Sequence, residues 1–163
     1  MSNDVVRLIL DDHRRFEDLL RELRSSEGDR EKALGELSRL LVAHAEAEES
    51  DVYPVLRRFS QVDSEEVEHG AEEHAEGHAA LLGLLEAGGP GTPEWDRKLE
   101  ELSESLTHHL DEEERTILND ARATLDEARR GELGEAFLRA RRARIEEGCG
   151  SVEYVRALVE RQS

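Results

Sequence analysis

The residues best suited to chemistry in this 163-residue chain are histidines and glutamates that lie one helical turn apart. His44 precedes Glu48 by four residues, and His109 precedes Glu113 by the same interval. Four residues rise about 6 Å along an α-helix, so both side chains of each pair lie on one face. With the other histidines that interrupt apolar stripes, the candidate metal ligands are His13, His44, Glu48, His74, His78, His109 and Glu113.

Metal binding is the chemistry that best explains this set, because a buried carboxylate without a partner is costly and would become neutral instead. One histidine on an apolar face is usually an ordinary core residue, but five histidines and two glutamates on four segments require a shared cause. Cations compensate carboxylates and use the neutral imidazole nitrogen as a ligand. A glutamate one turn from a histidine can bridge to a second ion, so two ions about 3.5–4 Å apart would fit.

The mixture of imidazole and carboxylate groups favours non-haem iron over manganese or zinc. Structural zinc sites commonly use thiolates, and the single cysteine, Cys149, lies in the C-terminal tail. Five imidazoles, two bridging carboxylates and an oxo or hydroxo bridge would leave one position open on two octahedral ions, where dioxygen or peroxide could bind. The ferritin-like alternative is rejected, because only Glu66 and His69 have its Glu-x-x-His spacing.

Four segments with helical periodicity must position these residues, and breaker-rich stretches separate them. The apolar stripes predict four helices, over residues 3–25, 29–59, 64–86 and 92–130. Pro54 is expected to kink the second helix, and Ser64 and Thr92 are the expected N-caps of the third and fourth. Short connections predict an all-α, up-down-up-down four-helix bundle. Two more amphipathic segments, 132–147 and 151–163, predict one or two C-terminal helices packed on its outside.

An internal repeat relates the two halves of the predicted bundle. A shift of 65 residues lays the histidine and glutamate of the second segment on those of the fourth. A shift of 61 residues lays His13 on His74. The chain therefore consists of two similar helical hairpins whose polar interruptions meet at one level. We assign residues 1–122 to the bundle and residues 123–163 to a helical extension that packs on it.

Polar neighbours of the candidate ligands carry weaker expectations. Asp12 and Glu73 each precede a candidate histidine and could accept a hydrogen bond from an imidazole N–H group. Tyr53 is expected to serve packing rather than redox chemistry. Cys149, between two glycines, could be exposed and oxidisable, although no neighbour in sequence would lower its pKa. The residues expected at the solvated surface are Glu17, Glu49, His69, His108 and Glu114.

The composition excludes several classes of function. The net charge of −18 opposes binding to nucleic-acid phosphates and to anionic membrane surfaces. The apolar runs are too short to span a bilayer, and the N-terminus lacks the pattern of a secretory signal. A lone cysteine cannot form an internal disulfide, so we expect a reducing, cytoplasmic environment.

With these motifs in place, the chain resembles the hemerythrin-like (HHE cation-binding) proteins over residues 5 to about 120. The resemblance rests on Asp12-His13-x-x-Phe16, His44-x-x-x-Glu48-Glu49-x-x-Val52-Tyr53-Pro54, Glu73-His74 and His109-x-x-x-Glu113-Glu114-x-x-Ile117. It implies an oxo- or hydroxo-bridged di-iron centre held by the candidate ligands, with His78 as a seventh. Oxygen carriers of the family have His-x-x-x-x-Asp where this chain has His109-x-x-x-Glu113, which disfavours simple reversible oxygen transport.

Two classes of function are compatible with this resemblance. The first is a di-iron protein that binds dioxygen or a related small ligand such as peroxide or nitric oxide, with catalase-like peroxide decomposition as its enzymatic form. The second is an oxygen- or iron-sensing or iron-binding module that acts through a protein partner without catalysis. A metal-stabilised structural bundle would instead need a closed site. The apolar residues expected to make access narrow are Phe16, Leu41, Leu81 and Leu106.

Overall fold

A computed structural model describes residues 3–163 of the chain. Its elements are α1 (Val5–Arg24), α2 (Arg30–Ala47), a π-helical segment (Glu48–Val52), α3 (Tyr53–Leu56), α4 (Ser64–Glu86), α5 (Pro93–Arg115), α6 (Ile117–Thr124), α7 (Glu127–Glu146) and α8 (Val152–Gln162). The predicted all-α bundle is confirmed. Helix α1 packs on α2, α4 packs on α5, and the two hairpins meet through α1–α5 and α2–α4 contacts. Over the described range, every helix is too short or too polar to cross a membrane.

Side-chain caps define where the helices of the second hairpin begin. Thr92 caps α5 as predicted, and Pro93 follows at a position where its missing N–H leaves no hydrogen bond unmade. The prediction for α4 was wrong by one residue, because Asp63 is its cap and Ser64 its first helical residue. The Asp63 carboxylate accepts a hydrogen bond from the Glu65 backbone N–H, which would otherwise lack a partner.

The second predicted helix is interrupted at the level of its candidate ligand. Helix α2 passes into the π-helical segment Glu48–Val52, which ends just before Pro54. Proline cannot donate a backbone hydrogen bond to the carbonyl four residues earlier, so a regular α-helix cannot continue through it. The expected kink therefore takes the form of a wide helical turn, a feature that is frequent at functional sites.

The fourth predicted helix is also interrupted. Helix α5 ends at Arg115, and Thr116, with φ −111° and ψ −80°, joins it to α6. The end predicted near residue 130 was wrong, because α6 ends at Thr124 and α7 begins at Glu127, where the Asp126 side chain caps it. The interruptions after α2 and after α5 lie at equivalent places in the repeat.

Two apolar clusters fill the bundle, one toward each end. The first cluster includes Phe16, Leu37 and Leu102, and the second includes Ile9 and Ile117. The candidate ligands lie between these positions along each helix, so they form a polar layer that separates the two clusters. Burial of large apolar side chains above and below this layer keeps water away from it.

The C-terminal helices pack closely on the bundle. Helix α7 lies along α1 and α2, and α8 lies along α4. A Cβ atom at Gly134 would come within 1.4 Å of the Asn3 carbonyl oxygen, so only glycine permits this approach of α7. At Gly150 a Cβ atom would meet the Arg39 backbone nitrogen at 2.7 Å. The division of the chain at residue 122 stays a prediction.

Cys149, which could have been exposed as far as the sequence shows, is buried. Its side chain is fully buried in the connection between α7 and α8, and the Sγ atom donates a hydrogen bond to the Arg39 carbonyl oxygen at 3.4 Å. Burial, with a smaller contribution from the charge of Glu46, raises the pKa of the thiol to about 11. The reactive thiolate is therefore both inaccessible and scarce at neutral pH.

We expect Cys149 in the native protein to resist a thiol reagent such as a nitrobenzoate disulfide at pH 8. In denaturant the same thiol should react within the mixing time, because unfolding removes the cover and restores an ordinary thiol pKa. The measurement is absorbance of the released chromophore with and without denaturant. Rapid stoichiometric labelling of the native protein would contradict the burial of this connection.

Candidate metal centre

Six of the seven predicted ligands converge in the polar layer. Their ligating atoms form two groups, within each of which all atoms lie within 4.8 Å of one another. The first group is His13, His44 and Glu113, and the second is Glu48, His74, His109 and Glu113. Because Glu113 belongs to both groups, its carboxylate lies between two pairs of imidazoles.

Glu48 occupies a similar intermediate position. Its Oε1 atom lies 3.2 Å from Nε2 of His44 and 3.1 Å from Nε2 of His74, so it contacts one imidazole from each group. The Glu113 Oε1 atom lies 3.0 Å from Nε2 of His13. Two carboxylates that each face imidazoles on both sides have the arrangement needed to bridge two ions.

Several buried polar atoms of this layer have no hydrogen-bond partner among residues 3–163. They are Nε2 of His13, His44, His78 and His109, Oε2 of Glu48 and Oε1 of Glu113. The His13 and Glu113 atoms are close but not aligned for a hydrogen bond. Such buried atoms normally find partners, and imidazole nitrogens and carboxylate oxygens are ligands for iron and similar cations. The donor set therefore fits metal binding.

Asp12 and Glu73 each orient an imidazole, which was the less favoured of the two roles open to them from sequence. The His44 Nδ1–H group donates to Asp12 at 2.7 Å, and the His109 Nδ1–H group donates to Glu73 at 2.9 Å. Each acceptor serves a histidine of another helix rather than its neighbour in sequence. Since an ionised carboxylate can only accept, Nδ1 carries the hydrogen and Nε2 is left to face the polar layer.

The expectation that Glu49 and Glu114 are merely solvated was wrong. Glu114 accepts a hydrogen bond from His13 Nδ1–H at 2.8 Å, and Glu49 accepts one from His74 Nδ1–H at 2.7 Å. Both carboxylates are partly buried. The internal repeat was the signal that could have found them, because it relates both the acceptors and the donors.

The buried charges of the polar layer shift the pKa values of its histidines and glutamates. Burial alone lowers the pKa of His44 and His74, but nearby carboxylates outweigh it and raise the values to about 10 and about 9. Burial raises the pKa of Glu48, yet the charge of His44 and several hydrogen bonds hold it well below its usual range. Glu48 is therefore ionised in the interior, where it requires positive partners.

His78 lies outside both groups of ligating atoms. Its Nδ1–H group donates to the Gln162 side-chain oxygen at 3.1 Å, and its buried Nε2 is one of the unpartnered atoms. Burial and the charge of His74 lower the pKa of His78 to about 4, so the imidazole is neutral at pH 7. A neutral imidazole with a free Nε2 is competent to ligate, and its role as the seventh ligand stays a prediction.

A cavity of about 20 Å³ borders the centre on the side of His74 and His109. This volume suits a ligand of about the size of one water molecule. A Cβ atom at Gly77 would meet nothing within 4 Å, so this glycine leaves the space open. The repeat-related residue in the other hairpin is Phe16, whose buried ring lies 5.2 Å from that of His44. The two halves of the centre therefore differ in access.

Of the apolar residues expected to narrow the access route, Leu41 and Leu106 line this cavity. Phe16 fills the equivalent space in the other half, whereas Leu81 is buried in the apolar cluster beyond it. The exposure expected for three polar residues is also confirmed, since the following side chains are 43–64% exposed: Glu17, His69 and His108.

Tyr53 contributes more than packing to the centre. Its ring stacks on that of His74, with centroids 5.6 Å apart and an interplanar angle of 5°. Its hydroxyl donates a hydrogen bond to Glu113 Oε2 at 2.5 Å. Burial and the Glu113 charge raise the pKa of Tyr53 well above its usual value, so the hydroxyl keeps its proton and orients the carboxylate.

The C-terminal helices supply side chains that sequence analysis missed. From α7, the Phe137 ring packs edge-on against His44 at 5.4 Å, and Arg141 forms an ion pair with Asp12. From α8, Gln162 holds His78. These residues have no counterparts in the internal repeat, so no pattern in the sequence connected them with the ligands.

Comparison with known proteins identifies the class to which this fold and this centre belong. The family model described as "Hemerythrin HHE cation binding domain" matches residues 4–121, and the chain therefore belongs to this family. The family and the buried histidine–glutamate cluster together define a metal-binding helical bundle, for which iron is the typical metal.

One curated relative, named "DNA nickase", comes from Nostoc sp. (strain PCC 7120) and is 29% identical to this chain over 150 residues. That match covers 90% of this chain, which spans only 40% of the relative's length. No solved structure matches the chain significantly.

The carboxylates that hold the imidazoles should matter for metal affinity. We expect Asp12→Ala and Glu114→Ala each to weaken metal binding about 10–100-fold, because His44 or His13 loses the group that orients it. Affinity is measured by competition with a chromogenic chelator. Glu17→Ala, an exposed site on the same helix as Asp12, is the matched control and should bind as the unaltered protein does. Unchanged affinity in both test variants would contradict this role.

Proposed function

We propose that this chain is a non-haem di-iron protein that binds dioxygen or a related small oxidant and decomposes peroxide. The observation that carries the proposal is the pair of overlapping ligand groups that share Glu113. The proposed ligands are His13, His44, Glu48, His74, His78, His109 and Glu113. Iron held there would supply a binding position for the small oxidant and exchange electrons with it.

The charges and positions of the side chains support two ions rather than one. Two imidazoles lie on each side of a pair of carboxylates, and both carboxylates are almost completely buried. One divalent cation would leave one pair of imidazole nitrogens without a partner. Two cations would serve all four and compensate the negative charges of Glu48 and Glu113.

The surroundings of the centre support a small ligand. The cavity beside His74 and His109 is small, and its walls include Leu41, Leu106 and the open space at Gly77. Tyr53 holds a proton at its hydroxyl and fixes the orientation of Glu113. The protein side chains thus bind the cations, exclude bulk water and restrict what can approach.

Iron stoichiometry is the first test. We expect two iron ions per chain, and we expect Glu48→Ala and Glu113→Ala to lose more metal than His78→Ala, because each carboxylate serves two ions and His78 serves one. Metal content and melting temperature are measured before and after a chelator. Binding to the folded state raises the melting temperature, so the metal-free protein should melt lower.

Two results would contradict this part of the proposal. The first is a maximum of one ion per chain in the unaltered protein. The second is a centre emptied by His78→Ala but not by Glu113→Ala, since that would reverse the roles given to these ligands. Equal melting temperatures with and without chelator would show that the buried layer does not depend on the cations.

The second test is size selection by the cavity. We expect iron-loaded protein to consume hydrogen peroxide at a measurable rate and a bulky organic hydroperoxide much more slowly. Gly77→Leu should slow azide binding and peroxide consumption at least about tenfold without loss of iron, because leucine would fill the cavity. Gly131→Leu is the matched control, since Gly131 is also helical with open space around it but lies on α7. Equal turnover of both peroxides would contradict a narrow route.

A second candidate function is oxygen or iron sensing through a protein partner. The observation in its favour is that both C-terminal helices reach the candidate ligands. Arg141 of α7 forms an ion pair with Asp12, which orients His44, and Gln162 of α8 accepts a hydrogen bond from His78. A change at the metal could therefore alter how these helices pack. Reversible oxygen binding without peroxide turnover would favour this function over the enzymatic one.

The activity in the relative's name is poorly supported for this chain. The match covers 40% of that protein at 29% identity, so the similarity alone does not carry the named activity over to this chain. The net charge of −18 also repels the phosphates of nucleic acid. The small-oxidant function is therefore the better-supported proposal.

A further inference from the structure

A second group of metal-ligating side chains lies at the surface between α4 and α5. The His69 Nε2 atom is 3.4 Å from Glu73 Oε2 and 3.5 Å from Glu112 Oε1. The His108 Nε2 atom is 3.0 Å from Glu73 Oε2 and 2.8 Å from Glu112 Oε2. Two imidazoles thus face two carboxylates, and none of these four residues is among the ligands proposed for the buried centre.

The sequence supports this group independently of the distances. His69 precedes Glu73 by four residues on α4, and His108 precedes Glu112 by four on α5. The buried pairs His44/Glu48 and His109/Glu113 have the same His-x-x-x-Glu spacing, but these two pairs lie toward the surface of the bundle. The two pairs lie on adjacent helices, so a single ion could contact both.

The distances fit a small tetrahedral ion. Ligand atoms bound at about 2.0–2.1 Å around a tetrahedral centre are separated by about 3.3–3.5 Å. The His69 Nε2 separations from both carboxylates match this value, and the ligating atoms of His69, Glu73 and Glu112 all lie within 4.8 Å of one another. The His108 side chain is 64% exposed and already contacts Glu73, so it is free to reorient as the fourth donor.

Glu73 distinguishes this group from ordinary surface ion pairs. Its side chain is only 7% exposed, and its Oε1 atom accepts the hydrogen bond from His109 while Oε2 faces the surface histidines. A cavity of about 10 Å³ lies beneath the group and is bordered by His69, Glu112 and Glu113. The hydrogen bond from His109 therefore fixes the position of the Glu73 carboxylate, and its Oε2 atom points toward the surface histidines.

We propose that His69, Glu73, His108 and Glu112 form a separate surface site for a divalent transition-metal ion of the zinc class. Imidazole and carboxylate donors in tetrahedral geometry suit Zn²⁺, for which Co²⁺ is a spectroscopic substitute. The surface site and the buried centre have no ligand in common. They are linked only through Glu73, whose Oε1 atom contacts His109 and whose Oε2 atom contacts the surface histidines. It does not depend on what the buried centre binds.

The experiment is a Co²⁺ titration of iron-loaded protein, followed by visible absorption, with iron content measured on the same sample. We expect one further equivalent of Co²⁺ with the intense absorption of tetrahedral geometry, and displacement of that ion by Zn²⁺. His69→Ala and His108→Ala should each lose this absorption and keep the iron content of the unaltered protein. Glu76→Ala and Glu104→Ala, exposed carboxylates on the same two helices, are matched controls that should retain it.

The metal-free protein gives a second comparison that is independent of iron loading. The double variant His69→Ala/His108→Ala should bind one fewer Co²⁺ per chain than the unaltered protein, whatever number the buried centre takes. Equal cobalt stoichiometry in these two proteins would overturn the surface site. So would a further equivalent that the controls lose as readily as the histidine variants, because that would indicate diffuse attraction to the acidic surface.

Discussion

The structure depends on the burial of two carboxylates, Glu48 and Glu113, in the middle of a helical bundle. Their exposed fractions are 0% and 1%, and a buried anion is tolerated only with cationic and hydrogen-bonding partners. The imidazoles on both sides of each carboxylate meet that requirement in part, and metal ions would complete it. The apolar clusters above and below exclude water, which strengthens every electrostatic interaction in the layer.

A pseudo-twofold repeat places equivalent carboxylate–imidazole pairs in the two halves of the bundle. The Asp12–His44 hydrogen bond in one half corresponds to the Glu73–His109 hydrogen bond in the other. Each bond joins two helices, so the same contacts that orient the imidazoles also fix the packing of the bundle. The symmetry fails at Phe16 and Gly77, where one half is filled and the other has a cavity. Under the proposed function, this difference would direct a small ligand to one side of the centre.

The C-terminal helices pack on the bundle and also contribute side chains to the surroundings of the centre. Arg141 reaches Asp12, and Gln162 reaches His78, so each helix contacts a residue that orients or forms the predicted ligand set. Close approach at Gly134 and Gly150 makes these contacts possible. Glu73 likewise connects two parts of the structure. Its Oε1 atom accepts the hydrogen bond from His109 in the buried layer, and its Oε2 atom faces His69 and His108 at the surface.

The sequence by itself determined the four-helix bundle, the six convergent residues and the level at which they meet. It could do so because helical periodicity and the internal repeat can be recognised in the sequence without knowing which residues are in contact. It did not determine that Glu49 and Glu114 hold imidazoles or that Cys149 is buried, and it gave no sign of Gln162. Those facts depend on which helices are neighbours and on how closely they approach, at separations of up to 110 residues for Cys149 and Arg39. Only tertiary packing decides such contacts, because glutamate and glutamine side chains are mostly exposed in proteins and a lone cysteine carries no sign of which segment covers it.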